Sequence, residues 1–328
     1  MTIQPLNFLG TGRALPPRVL TNHELAQTVD TSDAWIVERT GIRERRIAAS
    51  DVSTSDLGAE ALKLACEDAG LPLSELDGII LATSTADTAF PSTACWVQQR
   101  LGISGMFAFD VGAGCSGFIY ALELASALIG SGRGKTVGVI GAEVMSKSVD
   151  WTDRSTCVLF GDGAGAVVVT EGSGESGILG SHWGADGNHA SCLYQPAGGS
   201  QMPASASTVE EKLHSVHMQG KSVFRHAVSQ MANSAKVSLE RAGLSYQDVD
   251  LLIPHQANLR IMEATRQRTQ VPRERMLSIV DRYGNMSAAT IPVALDEAAR
   301  SNRLKHGDIV LTTAFGTGFT WAAQTIRW

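Results

Sequence analysis

The sequence predicts an α/β protein made of two duplicated halves, and three observations carry that expectation. Short β-runs alternate with helix-period segments and glycine punctuation, the pattern of mostly parallel sheets covered by helices. The motif Ala69-Gly70-Leu71, with Glu75-Leu76-Asp77 and Ile79-Ile80 behind it, returns 173 residues later as Ala242-Gly243-Leu244, Asp248-Val249-Asp250 and Leu252-Ile253. The same shift carries residues 134–137 (GKTV) onto 307–310 (GDIV), and Ala121-Leu122 onto Ala294-Leu295. One offset holding across three separated segments marks a repeat, which fixes the architecture before any single element is read.

In chain order, a helix is expected over residues 55–68, stopping at Ala-Gly-Leu and giving way to a β-run. Residues 115–129, CSGFIYALELASALI, carry Glu123 as their one charge, so they read as a buried helix rather than an amphipathic one. Gly112 and Gly114 open it, and a β-run follows Gly134. Residues 161–166, GDGAGA, read as a turn before a strand at 167–170; a dinucleotide-binding fingerprint would need a helix there. The segment 171–177, EGSGESG, is the seam, dividing the chain into halves 1–172 and 173–328. The second half repeats the order with a helix over 226–241, a β-run at 249–253, a helix from near Ala288 and a β-run at 309–313. Pro292 is tolerated because it falls in that helix's first turn. The equivalence lays Cys115 on Ala288 and Gly112 on Asn285.

Of 328 residues, 44% are apolar and 18% charged, with 33 glycines and a net charge of −6. The acids form no tail, so nothing in the charge balance requires a nucleic-acid or anionic-membrane partner. No apolar run approaches the roughly 20 residues needed to cross a bilayer, and the amino terminus lacks a basic region followed by an apolar stretch; a cytoplasmic protein is expected. Five cysteines, at 66, 95, 115, 157 and 192, are odd in number and contain no CxxC, the pattern of reduced thiols. His214 and His217 lie three apart without a third ligand, so no metal is expected.

The candidate chemistry starts at Cys115. A thiol at a helix front faces unpaired amides and the positive end of the dipole, which favours thiolate and should lower its pKa. By itself the residue reads more readily as a small buried hydrophobe, like the other four cysteines. Nucleophilic catalysis needs a partner base and an electrophile stabiliser, and the second half offers residues for both. His255 in Pro254-His255-Gln256-Ala257-Asn258 falls at a strand end, where loop residues of α/β folds act. Asn285 in Tyr283-Gly284-Asn285-Met286-Ser287 precedes a helix. Phe315-Gly316-Thr317-Gly318-Phe319 follows a strand, with glycines that let backbone N–H groups approach a ligand.

GCSGF, PHQAN, YGNMSAATIP and FGTGFTW, in this order, closely resemble the β-ketoacyl-[acyl-carrier-protein] synthase III family of the thiolase superfamily. The resemblance extends through Trp35-Ile36-Val37-Glu38-Arg39-Thr40-Gly41-Ile42-Arg43, Ala89-Phe90-Pro91-Ser92, Asp153-Arg154-Ser155-Thr156 and Phe160-Gly161-Asp162-Gly163, so it runs nearly end to end. It implies a thiolase-like five-layered α-β-α-β-α fold, in agreement with the 173-residue repeat, and a homodimer with no cofactor. It also implies a catalytic Cys115, His255 and Asn285, with an oxyanion hole from the backbone N–H groups of Cys115 and Gly318. The implied reaction joins an acyl-CoA primer to malonyl-[acyl-carrier protein] with loss of CO₂, the step that initiates fatty-acid synthesis. Trp35 and Arg154 resemble the pair that sandwiches the CoA adenine, Arg39 would lie near its phosphates and Asn258 near the pantetheine arm. Phe160 belongs to the acyl pocket, and Phe90 resembles the phenylalanine that closes the neighbouring subunit's pocket. Arg225, Arg260 and Arg268 resemble the basic positions that meet the acidic carrier protein.

The chain departs from the family pattern at Gly114, where alanine is usual, at Thr317, where many members have glycine, and at Ser155, which replaces a glycine. A secondary-metabolic synthase III-like enzyme, of polyketide or quinolone type, remains an alternative because such relatives keep the same triad with other starters or acceptors. A cysteine thioesterase or esterase is the other, since residues 113–117 nearly mimic a nucleophile elbow. Against it, no acid is marked out between nucleophile and histidine, and PHQAN and YGN would have no use.

Overall fold

The computed structural model describes residues 4–328, and its centre is a nine-stranded sheet. The strands are β1 (Gln4–Ala14), β2 (Gly78–Ala82), β3 (Phe107–Val111), β4 (Thr136–Val144), β5 (Asp162–Glu171), β6 (Gly177–Ala185), β7 (Leu251–Pro254), β8 (Ile309–Gly316) and β9 (Thr320–Arg327), in the order β7-β8-β9-β6-β1-β5-β4-β2-β3. The sheet is more mixed than expected. β2 runs parallel to β3 and β4, and β7 to β8, but β4/β5, β1/β5, β8/β9 and β9/β6 are antiparallel. The reason is connection length: β8 turns straight back into β9, and only short helical turns separate β4 from β5, so no crossover helix intervenes. The two portions touch through a two-residue pairing of β1 with β6, Gln4 to Ile178 and Pro5 to Gly177.

Helices are α1 (Asp33–Thr40), α2 (Thr54–Asp68), α3 (Thr93–Leu101), α4 (Gly117–Gly130), α5 (Gly220–Ala242), α6 (Leu259–Thr269) and α7 (Thr290–Arg300). α2 packs on β1, β5 and β4 from outside, α5 on β9, β6 and β8 from the other outside, and α4 and α7 lie between the two portions of the sheet. This is the five-layered α-β-α-β-α arrangement. α4 and α7 are buried along most of their length, as the near absence of charge in 115–129 predicts. α5 begins six residues before the expected start at 226.

The repeated Ala-Gly-Leu is a helix stop in both copies. Gly70 and Gly243 take left-handed φ of 63° and 70°, and Leu71 and Leu244 donate back to the carbonyls of Cys66 and Leu239 at 2.9 and 3.0 Å. Only glycine takes that backbone at little cost, which explains its identity in each half.

One expectation fails. Residues 162–166 are not a turn but the first half of β5. Their small side chains let the C-terminal helix approach: a Cβ at Gly165 would stand 2.5 Å from the backbone nitrogen of Val293, and one at Gly163 would stand 2.6 Å from the Met286 sulfur. Glycine here serves close packing of helix on strand rather than a bend.

Candidate active site

Cys115 does not sit in the first turn of α4 but in a separate 3-10 turn, Gly114–Ser116, immediately before it. The 173-residue equivalent is a second 3-10 turn, Ser287–Ala289, before α7, and the two turns touch. Each opens on a left-handed residue, Gly114 at φ 51° and Ser287 at φ 44°. The duplicated lead-ins bring residues from the two halves together at the centre of the molecule.

His255 follows β7; its backbone nitrogen donates to Thr313 of β8 at 2.8 Å, and its ring Nδ1 lies 2.7 Å from Oγ1 of Thr290, the first residue of α7. Asn285 is fixed by its own backbone, donating to Leu159 O at 2.8 Å and accepting from Gly161 at 3.1 Å. Its Oδ1 accepts from the Ser287 nitrogen at 2.9 Å, which commits the oxygen to the protein and leaves the NH₂ donors for a ligand. Cys115, His255 and Asn285 line one narrow cavity together with Asn258, Phe160 and Phe315. On its other side the sulfur opens into a second cavity of about 340 Å³, walled by Thr85, Met145, Phe160, Leu193, Tyr194 and Val216 among others, with Ser287, Thr317 and Gly318 beside the thiol. The nucleophile candidate thus stands at the junction of two cavities.

Electrostatics reverse one expectation. Burial pushes the Cys115 thiol up to about 12, against pulls downward from the Ser287 hydroxyl and its own amide, with Glu143 pushing the same way as burial. Burial likewise pushes the His255 imidazole down to about 3. The resting pair is a neutral thiol and a neutral ring, not an ion pair, because desolvation outweighs the hydrogen bonds that pull the thiol down.

The nucleophile turn and the Gly316–Gly318 loop are fitted to each other. A Cβ at Gly316 would stand 2.4 Å from the Cys115 nitrogen, and one at Gly114 would stand 2.4 Å from Thr317 Oγ1 and 2.7 Å from the Thr317 nitrogen. Thr320 ties the loop down, its Oγ1 lying 2.8 Å from Ala113 O and 3.0 Å from Thr317 O. Gly318 lines the larger cavity beside Cys115.

Trp35, Arg39 and Arg154 form a stack away from the thiol. Arg39, one turn along α1, has its guanidinium carbon 5.0 Å from the indole centroid, and Arg154 lies at 4.9 Å. Arg154 opens the short helix Arg154–Cys157 and donates to Asp30 O at 2.7 Å. Ser155 donates its amide and hydroxyl to the capping Asp153 at 2.9 and 2.8 Å, a role glycine cannot fill with a side chain. Asn258 caps α6, accepting from Ile261 at 2.9 Å, while facing the narrow cavity. Arg225 and Arg260 are exposed and joined through Phe224, over which Arg260 sits at 5.8 Å. Arg268 is exposed too, but eight residues further along α6, roughly 12 Å away by helical rise. Phe90 lines neither cavity and is 84% exposed.

Sequence reasoning missed Glu143, a fully buried carboxyl near the C-terminal end of β4, and the hydroxyls around it. Its signal was present: one acid inside the otherwise uncharged run 136–145 (TVGVIGAEVM). Thr290 was also missed, though it lies inside the quoted YGNMSAATIP.

Comparison with known proteins identifies the family. The family model described as 3-oxoacyl-[acyl-carrier-protein] synthase III matches residues 109–187, and that of its C-terminal portion matches 239–328. β-Ketoacyl-[acyl-carrier-protein] synthase III of Caldanaerobacter subterraneus subsp. tengcongensis is 54% identical over 321 residues, covering 98% of this chain and 97% of its own. The crystal structure of 3-oxoacyl-[acyl-carrier-protein] synthase III from Aquifex aeolicus superposes with a TM-score of 0.91 at 46% identity, covering 98% of this chain and all of the other. The priming β-ketosynthase from the R1128 polyketide pathway also scores 0.91, at 34% identity over 99% of this chain and 96% of its own. With matches of this identity spanning nearly the full length, the chain belongs to the β-ketoacyl-[acyl-carrier-protein] synthase III family.

Proposed function

We propose that this protein catalyses the decarboxylative Claisen condensation of an acyl-CoA primer with malonyl-[acyl-carrier protein], giving a β-ketoacyl-[acyl-carrier protein] and initiating fatty-acid synthesis. The observation that carries the reading is the junction at Cys115, a thiol between a narrow channel lined by His255 and Asn285 and a largely apolar cavity with room for an acyl chain. Cys115 attacks the primer thioester, and the tetrahedral oxyanion is held by the N–H groups of Cys115 and Gly318. Loss of one such donor typically costs about 10²- to 10³-fold in rate. CoA departs through the channel, leaving the acyl chain in the cavity walled by Phe160. The malonyl thioester then enters; His255 and Asn285 donate hydrogen bonds to its carbonyl oxygen as CO₂ leaves, and the resulting enolate carbon attacks the acyl-cysteine. A neutral imidazole suits that task, and burial keeps His255 neutral.

Trp35, Arg154 and Arg39 grip the nucleotide end of CoA, and Asn258 meets the pantetheine arm. Arg225, Arg260 and Arg268 draw the acidic carrier protein to the mouth, by electrostatic steering that salt weakens. The working unit is a cytoplasmic homodimer, each chain dividing at residue 172 into a half that carries the cysteine and one that carries the histidine and asparagine. The exposed Phe90 and the outer edge of β3 support the pairing, since an open strand edge invites a second strand.

Intact-mass measurement separates the roles. Incubation with acyl-CoA is expected to add one acyl group to the wild type and none to Cys115→Ala. His255→Ala and Asn285→Ala are expected to acylate yet fail to release CO₂ from malonyl-[acyl-carrier protein]. Acyl-enzyme formed by the Cys115→Ala protein would overturn the assignment.

A further inference from the structure

Primer transfer has to move a proton, and the imidazole is not the only group placed to take it. Glu143 is 0% exposed near the C-terminal end of β4. Its carboxyl accepts from Thr85 Oγ1 at 2.6 Å, Thr83 Oγ1 at 3.1 Å, the Ser84 nitrogen at 3.0 and 3.1 Å and the Ala288 nitrogen at 3.4 Å, with no cation bonded to it among the described residues. Burying a carboxyl without a counter-charge is costly, so the position calls for a use. Ser287 heads the turn whose next residue, Ala288, reaches Glu143, and it shares a cavity with Cys115; its hydroxyl pulls both the thiol and the carboxyl toward their charged forms, while burial holds each above its ordinary value. Ser287 lines the primer cavity and His255 the arm channel, and Cys115 lines both, so the sulfur stands where a hydroxyl-backed carboxyl and the imidazole are both at hand.

We infer that Glu143 takes up the Cys115 proton through the Ser287 hydroxyl during primer transfer and gives it back to the departing CoA sulfur. The inference rests on Cys115 being the nucleophile. As the bond from sulfur to the primer carbonyl carbon forms, the thiol proton passes to Ser287 Oγ and the hydroxyl's own proton to a Glu143 oxygen. When the bond from that carbon to the CoA sulfur breaks, the same two transfers in reverse protonate the leaving thiolate, so no net proton is gained or lost. Ser287 is positioned by its backbone: the left-handed φ it shares with Gly114 and the bond from its nitrogen to Asn285 fix where its side chain points. This assignment leaves His255 neutral and available for the second step.

The test uses Ser287→Ala and Glu143→Gln in the full-length protein, with single-turnover acylation by acyl-CoA followed by quenched intact-mass analysis across a pH series. General acid–base help of this kind is worth about 10²- to 10⁴-fold. Acylation of both variants is expected to slow by about that factor near neutral pH and to recover as pH rises and solvent base takes over. Condensation from acyl-enzyme accumulated by long incubation is expected to change only a few-fold. Wild-type acylation rates and pH profile in Ser287→Ala would overturn the relay, as would equal slowing of both steps without a changed profile. Ser287→Ala removes one oxygen and decides the matter even where Glu143→Gln does not fold. A mass gain in Cys115→Ala would instead overturn the nucleophile assignment, so the two failures are distinguishable.

Discussion

Gly114 and Thr317, the two departures from the family pattern nearest the thiol, occupy one space. An alanine at 114 would hold a left-handed φ and press its methyl into the Thr317 hydroxyl. Gly114→Ala is therefore expected to cost about 1–3 kcal/mol from the backbone alone, with a further loss from the contact, read as a lower melting temperature and slower acylation. Thr317→Gly should recover the part due to the contact and not the part due to φ, and a double-mutant cycle measures the difference. Thr290 supplies a second test. Its hydroxyl has one proton, shared between Ser287 O at 3.0 Å and His255 Nδ1 at 2.7 Å, and only when it goes to Nδ1 does the ring proton sit on Nε2, where the decarboxylation step needs a donor. Thr290→Val is expected to lower condensation kcat while sparing acylation in the intact-mass assay. The motif residues could be named from the sequence; Glu143 stood out there only as one acid in an uncharged run, which does not say whether it faces solvent or the turn that carries Cys115.

At the scale of elements, α6 performs two tasks from one residue. Asn258 both caps the helix and faces the channel, so Asn258→Ala is expected to cost about 1 kcal/mol of stability besides weakening CoA binding, whereas Asn258→Ser should keep the cap and lose the channel contact. Comparison of urea midpoints with KM for acyl-CoA separates these. On α1, Trp35→Ala removes the surface over which Arg39 and Arg154 sit. A stacked cation–aromatic contact contributes about 0.5–2 kcal/mol, so KM for acyl-CoA should rise several-fold to about thirtyfold with kcat little changed. The helices and the repeat were readable because period and glycine stops are local signals. The strand at 162–166 was not, since its glycines answer to α7, which lies more than a hundred residues away and is invisible to a local pattern.

For the molecule as a whole, buried titratable groups set the pH range of stability. His255 has an ordinary value of 6.5 in the unfolded chain and about 3 in the fold, so the unfolded chain binds its proton first. That contribution is fully present above 6.5 and is lost as pH falls toward 3. The gap in urea midpoint between wild type and His255→Gln is expected to shift against the wild type through this window. At the other end the Cys115 thiol, raised from 9.0 to about 12, and Cys66 and Cys157, raised to about 11, stay protonated after unfolded thiols ionise, so stability falls as pH climbs past 9. The two-half plan was visible in the sequence through its repeated segments, but the mixed sheet was not, because strand direction depends on how short each connection is.

Two chambers meeting at one sulfur separate what is carried from what carries it. Under the proposed function, the handle, whether CoA or a carrier arm, is judged in the narrow passage, while the cargo is measured in a compartment that shares Phe160 and Leu193 with it but has Met145, Tyr194 and Val216 to itself. On that reading, enzymes built on this plan can change the menu of chains they accept by altering the residues around Met145 and Tyr194, which line the larger cavity and not the passage.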